Sequence, residues 1–457
     1  MDRQFFSGKT VLVMGLGRFG GGADAARFAC DAGAKVIVTD LSPPEKLRDS
    51  IDALGASGAI VLHLGGHDPA DFERADIIIT NPAIPPDNQL LRAARKNKKV
   101  MTSQIEIFFE LCPAATIGIT GANGKSTTAA LTAHLLQSAI GAGGIDYSGV
   151  RLSGNIGNRP LLGLLDEIHS HDLVVLELSS FQLEQLARIE KAPKVALLTN
   201  LTPNHLDRHG TFEAYCAAKE NIFRLQRLDE NDPAVSIFNA EDPVACRWFE
   251  KYKGDPGRIC LKFSPDDLGS DILSAFALPG RANISNLAAA AAVAHHFGLS
   301  DRVIARCLPD FKALPHRLEL VAEIDGVRWY NDSIATTPQS TIAALEALDR
   351  PKILIAGGYD KNLPFEQLGR KIAASAKAAV LIGSTAAKIA DAINDCPDNR
   401  ARIELAPSLA EAVALARKIA GPGDVVMLSP ACASYDMFDN FQQRGACFVE
   451  LVKSLSP

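Results

Sequence analysis

The chain has 457 residues, 47% of them hydrophobic and 22% charged, with a formal net charge of −6 and an isoelectric point near 6.0. At about 100–200 residues per domain, that length suggests two to four globular domains, each able to bury its own core. The mild acidity excludes bulk affinity for nucleic acid or anionic membranes, and no apolar run approaches the ~20 residues of a membrane span.

Nine cysteines occur without a C-x-x-C pair, which reads as reduced thiols and offers no zinc site. The N-terminal stretch has no apolar signal region, so a cytoplasmic location is expected. Thr10 to Met14 is an apolar strand that runs into Gly15-Leu16-Gly17-Arg18-Phe19-Gly20, then an alanine-rich helix, then a strand from Lys35 ending at Asp40. This is a βαβ unit with a dinucleotide-type fingerprint: glycines for a tight turn, a helix N-terminus for a pyrophosphate, and Asp40 for a ribose hydroxyl. Strands at Ile60 to His63 and Asp76 to Thr80 follow, the second leading into the polar loop at Asn81, and this first domain is expected to end near Ser103. A rigid proline turn is the other reading of that loop.

The central stretch opens with Ile117 to Thr128, IGITGANGKSTT, which reads as strand, phosphate-binding loop and helix. Gly121 and Gly124 let the backbone curl, with Ala122 and Asn123 between them, so that N–H groups converge on phosphate oxygens. Lys125 would reach the outer phosphates of ATP, and Ser126 or Thr127 would offer a hydroxyl to Mg²⁺. The strict phosphate-loop pattern needs glycine where this chain has Ile119, yet a bare turn has no need of a lysine followed by three hydroxyl residues.

Polar groups then recur at the ends of apolar runs. Gly154-Asn155-Ile156-Gly157 is a glycine-flanked amide, and Glu177 sits inside the buried-type strand Leu173 to Leu178. A carboxylate there needs a cation or donors, either Mg²⁺ or a buried salt bridge. Val195 to Leu198 runs into Asn200 to Asp207, where His205 alone reads as a solvated histidine. Lys219, in the helical run Thr211 to Arg224, reads by default as a solvated lysine. Residues from Asp229 to Asp271 are weakly patterned. Asn283 and Asn286 then stand three apart at the start of an alanine helix, where they could cap the helix or face a ligand together. Past a boundary near Leu314, strands at Lys352 to Ala356, Ala379 to Ile382 and Val425 to Leu428 predict a third α/β sheet.

The ordered set TGANGKSTT, GNIG, LELSSFQLE, NLTPNHLDRHG, AAKENIF, NISNLAAA, LPHRLE, NDS and LSPACASYDMFDNFQQRG resembles the Mur ligases, and does so from Gly15 to Gly445. The resemblance implies three α/β domains: a Rossmann-like one at 1–103 for a UDP sugar, a central phosphate-loop ATPase at 104–313, and a Rossmann-like one at 314–457 for the amino acid. It is most similar to the branch that joins glutamate to UDP-N-acetylmuramoyl-L-alanine in peptidoglycan synthesis, as a monomer with no nucleic-acid or membrane partner.

By matching motif, Gly121 to Thr127 would hold the ATP phosphates, with Asn283, Asn286, Arg317 and Asp332 as further ATP contacts. Ser126, Glu177, His205 and Lys219 would serve two Mg²⁺ ions, Lys219 as a carbamate, and Lys125, Glu177, His205 and Lys219 would carry catalysis. Gly17, Arg18, Phe19, Asp40, Asn81, Asn155 and His205 would bind the UDP substrate, and Thr336, Lys361, Ser434 and Phe441 the amino acid. The implied reaction runs through an acyl phosphate that the amine of glutamate attacks.

Ile334 stands where a lysine is usual in these glutamate ligases, and Tyr435 where a leucine is usual. D-Glutamate is expected, and L-glutamate stays open at those two positions, as does a folylpolyglutamate-type ligase. A nicotinamide dehydrogenase would use Gly15 to Gly20 and Asp40 but leaves the phosphate loop unexplained. An ATP-driven switch would use Lys125 without amide chemistry.

Overall fold

Among the described residues the strands form three sheets, two all-parallel and one mixed. The computed structural model describes residues 1–455 apart from 56–59, 86, 142–143 and 157–160. Two compact units are present, residues 1–275 with 286–308, and residues 276–285 with 309–457.

In the first unit, β1 (Thr10–Met14), β2 (Lys35–Asp40), β3 (Ile60–Leu64), β4 (Ile77–Thr80) and β5 (Val100–Thr102) form an all-parallel sheet in the order β3-β2-β1-β4-β5. Strands such as β4, buried throughout, read as unbroken apolar runs because helices cover both faces of a parallel sheet. The order reverses between β1 and β4. That is the switch point where open α/β sheets leave a crevice at their C-terminal edge.

The same unit holds a second all-parallel sheet: β6 (Ala115–Thr120), β7 (Gly149–Gly154), β8 (Asp172–Glu177), β9 (Val195–Leu198), β10 (Ala234–Asn239) and β11 (Arg258–Phe263), in the order β11-β10-β9-β6-β8-β7. Because β6 lies between β8 and β9, Thr120, Glu177 and Leu198 all finish at one edge. The helix Lys125–Gly141 is buried on most of its surface behind that edge, which explains its lack of a polar face.

The stretch from 229 to 271, weakly patterned in sequence, contains β10, β11 and the helix Pro243–Tyr252, capped by Asp242. Its apolar pattern is broken by Ser236, which is buried but satisfied: its hydroxyl donates to Gln226 at 2.7 Å and accepts from Arg258 at 2.8 Å. Two polar ties join the sheets of this unit. Arg188 donates two 2.8 Å bonds to the buried Glu106 carboxylate, and Asp24 accepts the N–H groups of Leu162 and Gly163 at 2.7 and 3.0 Å.

The second unit holds β12 (Glu319–Ile324), β13 (Val327–Asn331), β14 (Lys352–Gly357), β15 (Ala376–Ile382), β16 (Arg402–Leu405) and β17 (Val425–Leu428), in the order β12-β13-β17-β14-β15-β16. Only β12 and β13 pair antiparallel, closed by Asp325-Gly326 at φ +51° and +75°, values that suit a two-residue hairpin. β13, β14 and β17 lie side by side and parallel, so the loops after Asn331, Gly357 and Leu428 leave from the same edge.

Candidate functional site

The loop after β6 depends on two glycines. Gly121 has φ +149°, and a Cβ there would fall 1.9 Å from Thr199 Oγ1; Gly124 has φ +82°, and its Cβ would fall 2.1 Å from Asn286 Oδ1. No L side chain fits either place, so the loop stays tight. The end of β9 clamps it. Thr199 Oγ1 donates to the Asn123 carbonyl at 2.6 Å, Asn200 Oδ1 accepts from the Asn123 N–H at 3.0 Å, and the Ala122 N–H donates to the Asn200 carbonyl at 2.8 Å. Lys125 folds back to donate to the Ala122 carbonyl at 3.0 Å. Ser126 is half-buried, while Thr127 Oγ1 is buried with no hydrogen-bond partner among the described residues.

Behind the loop, the Lys219 side chain is 1% exposed and donates to Thr120 Oγ1 at 3.0 Å. Burial, then the Lys125 charge, push its pKa well below the ordinary lysine value; Glu177 opposes them. The solvated-lysine expectation therefore fails for a physical reason. The face of Phe212–Arg224 that carries Lys219 packs beneath the end of β6 rather than facing water. Glu177 is buried too, and its Oε2 has no partner among the described residues, so it is not consumed by a salt bridge. His205 holds φ +53° and lies edge-on to Phe181 at 5.2 Å. Burial lowers its pKa, with Lys219, Lys125 and His209 adding to that and Asp207 opposing it. The loop thus sits beside cationic and neutral nitrogen groups with one uncommitted carboxylate oxygen. That donor set suits phosphate oxygens and a hard cation. Among the described residues no group of three or more acids, histidines or cysteines is placed to hold a metal ion.

At the first sheet's switch point, the Asp40 carboxylate accepts the Gly17 N–H at 3.0 Å and the Ser42 N–H at 2.7 Å, closing the glycine loop on itself. Asn81 packs against this loop, its Cβ 2.9 Å from where a Gly15 side chain would begin. Arg18 and Phe19 are exposed, Phe19 at 81%. Asn155 is exposed and donates its N–H to the Glu177 carbonyl at 2.9 Å, which sets it beside the end of β8; Gly157 of the same motif lies outside the described residues. Arg208, not singled out in sequence, reaches from the His205 segment to the Asn81 loop. Its Nη1 and Nη2 donate to the carbonyls of Ala83 and Ile84, each at 3.1 Å.

Asn283 and Asn286 part company. Asn286 abuts Gly124 and accepts from Thr128 Oγ1 at 3.3 Å, whereas Asn283 donates to the Pro279 carbonyl at 2.8 Å. In the second unit, Asp332 is buried, accepting Ser429 Oγ at 2.8 Å and the Leu318 N–H at 3.1 Å; burial raises its pKa to about 7. Arg317 has a buried Nε without a partner among the described residues. Thr336 and Lys361 line one recess with Tyr359, Cys432 and Ala433. Ser434 is 2% exposed and its Oγ is unpartnered among the described residues. Phe441 opens the helix Phe441–Lys453 and lies edge-on to His316. Thr199, Arg208 and Arg444 are assigned no role from the sequence, where Asn200 stands only as the start of the polar run after β9; Thr199 and Asn200 carried a signal, since they directly follow an apolar strand.

Residues 119–275 match the family model of the Mur ligase middle domain, and residues 316–432 that of the Mur ligase glutamate ligase domain. Among curated proteins, the UDP-N-acetylmuramoylalanine–D-glutamate ligase of Roseiflexus sp. (strain RS-1) is 40% identical over 473 aligned residues, covering 98% of this chain and 99% of that protein. The enzyme of the same name from Acidobacterium capsulatum is 39% identical, covering 97% and 96%. Among solved structures, the UDP-N-acetylmuramate–alanine ligase of Thermotoga maritima shares the fold at a TM-score of 0.61 and 17% identity, with 98% of this chain and 100% of that one covered.

Proposed function

The chain belongs to the Mur ligase family, and from that premise we propose that it adds D-glutamate to UDP-N-acetylmuramoyl-L-alanine, an ATP-dependent amide ligation in cytoplasmic peptidoglycan precursor synthesis. The observation that carries this reading is the end-to-end match, 40% identity over 98% of the chain, to a relative named for that reaction. Residues 1–103 take the UDP acceptor, 104–313 ATP and 314–457 the amino acid, within a monomer.

A carboxylate is a poor acyl donor, so the γ-phosphoryl of ATP is first transferred to the acceptor's terminal carboxylate to give an acyl phosphate. Lys125 and the loop N–H groups not already tied to Asn200 meet the charge that spreads over the transferred oxygens. The neutral amine of glutamate attacks the acyl carbon, a tetrahedral adduct forms, and phosphate leaves as the C–O bond breaks. Mg²⁺, when bound, offsets phosphate charge. Ser126, Glu177, His205 and Lys219 would hold it together with nucleotide oxygens, and the unpartnered Glu177 Oε2 supports that fit.

The lowered pKa of Lys219 favours its neutral amine, the form that bonds to CO₂ carbon and releases a proton. The resulting carbamate turns a buried cation into an anionic oxygen ligand. Lys361 pairs with one carboxylate of glutamate, and Thr336 and Ser434 bind the other, with Phe441 at the margin. The uncommitted Ser434 hydroxyl supports that placement. Asn81, Asn155 and the Gly15 to Gly20 loop receive the UDP portion.

The test is ADP release with the UDP acceptor and each of D-glutamate, L-glutamate, L-lysine and meso-diaminopimelate, with the product weighed by mass spectrometry. Turnover is expected only with acceptor and D-glutamate both present, and Lys125→Ala is expected to lose more than about 100-fold in kcat while unfolding at the wild-type temperature. Better turnover with L-glutamate or with a diamino acid would overturn the assignment.

A further inference from the structure

Tyr359 lines the recess that contains Lys361, and Tyr435 lies beside both residues. Tyr359 lies in the loop after β14 and Tyr435 in the loop after β17, and the Tyr359 N–H donates to the Ala433 carbonyl at 2.9 Å, tying the loops together. The rings meet edge-on, centroids 5.9 Å apart at 65°, yet stay 44% and 57% exposed. The Lys361 Nζ lies 5.8 Å from the Tyr435 centroid, and Lys361 makes no ion pair among the described residues. Its acidic neighbour is unavailable, because Asp360 is paired with Lys388 and also accepts the Asn362 N–H at 2.7 Å.

The Tyr435 backbone is held from both sides. Ser434 is buried and its carbonyl accepts the Met437 and Phe438 N–H groups at 3.0 and 2.8 Å, while Asp436 accepts the Ser384 N–H at 2.9 Å. Ser434 therefore turns inward with its unpartnered hydroxyl, and Tyr435 turns outward toward the ammonium.

We propose that Tyr435, braced by Tyr359, is a positioning residue that holds the Lys361 ammonium at the recess for an incoming carboxylate of the amino-acid substrate. A π face suits this task better than an acid. A carboxylate would neutralise the ammonium and compete with the substrate, whereas the ring attracts the cation and leaves its three N–H donors open. The device rests on the reading of this recess as the amino-acid subsite. Its contribution belongs to substrate binding, not to the phosphoryl-transfer step.

The experiment measures KM for D-glutamate and for ATP in the full chain and in Tyr435→Leu and Tyr435→Phe. Tyr435→Leu keeps apolar bulk but removes the ring, and is expected to raise the D-glutamate KM about two- to fivefold with kcat and the ATP KM unchanged. Tyr435→Phe keeps the ring and is expected to retain the wild-type KM. An unchanged D-glutamate KM in Tyr435→Leu, an equal rise in Tyr435→Phe, or a parallel rise in the ATP KM would each overturn the clamp while leaving the ligase reading intact. A wild-type chain that ligates no glutamate would overturn both.

Discussion

Arg444 is 1% exposed and donates from Nε to the Ser333 hydroxyl at 3.0 Å and from Nη2 to the Ser333 carbonyl at 2.8 Å. Its Nη1 reaches the Cys432 carbonyl at 3.1 Å, so one guanidinium ties the loop after β13 to the loop after β17. Burial lowers its pKa to about 10, which still leaves it cationic at neutral pH. Those loops carry Asp332, Thr336 and Ser434, so the fork fixes the frame on which these three candidate residues stand.

Replacing Arg444 by alanine leaves three acceptors unpaired and a cavity behind them. The second unit is expected to lose about 3 kcal/mol or more, read from denaturant unfolding, because each hydrogen bond to a charged group contributes roughly 1.5–3 kcal/mol. Arg444→Lys keeps the charge but not the planar fork, and should recover only part of that loss. Wild-type stability in Arg444→Ala would refute the bracing role.

Asp332 makes the second unit sensitive to pH. Its pKa rises from 3.8 to about 7, with burial as the main cause, so between those values the folded state holds a proton that the unfolded state has released. By linkage, the contribution to stability is full below about pH 4, falls as pH rises toward 7, and is flat above it. Thermal midpoints taken from pH 5 to 8 should decline more steeply in the wild type than in Asp332→Asn. Equal slopes would mean that Asp332 titrates normally.

The phosphate loop was legible because its chemistry is local: strand, two glycines, lysine and hydroxyls lie within Ile117 to Thr128. β9 was legible at Val195–Leu198 because a central parallel strand is apolar throughout. β10 escaped because Ser236 interrupts its pattern, and only the fold supplies the Gln226 and Arg258 that satisfy it. Arg444 and Arg208 escaped for the same reason, since Ser333, which Arg444 grips, and Ala83 and Ile84, which Arg208 grips, lie more than a hundred residues away along the chain. The lysine that reads as solvated, Lys219, differs from a surface lysine only through the sheet edge above it.

Lys219 supplies a test of the metal-side chemistry. If a carbamate is its working form, Lys219→Ala should lose more than about 100-fold in kcat, and a short carboxylic acid added to the assay should restore part of it by placing an anionic oxygen in the vacated space. Lys219→Arg remains cationic and should stay inactive with or without the acid. Full activity in Lys219→Arg would exclude the carbamate.

Arg208 is the link between the crevice of the first sheet and the phosphate-loop edge of the second. It donates to the Ala83 and Ile84 carbonyls at 3.1 Å each, its guanidinium carbon lies 5.1 Å from the Phe181 centroid, and Phe181 in turn meets His205. The Ala83 N–H donates to Asn81 Oδ1 at 3.1 Å, so the same short loop also orients Asn81. Removing the guanidinium should loosen the Asn81 loop without touching Lys125 or Gly121. For Arg208→Ala we expect the KM for the UDP acceptor to rise roughly 5- to 30-fold, the equivalent of about 1–2 kcal/mol for two half-exposed charged hydrogen bonds, with little change in the KM for ATP. Arg208→Lys offers a single ammonium instead of a fork aimed at two carbonyls, and should fall between the two. Steady-state kinetics with each substrate varied in turn decides the matter: a rise confined to ATP, or none at all, would place Arg208 outside the acceptor site.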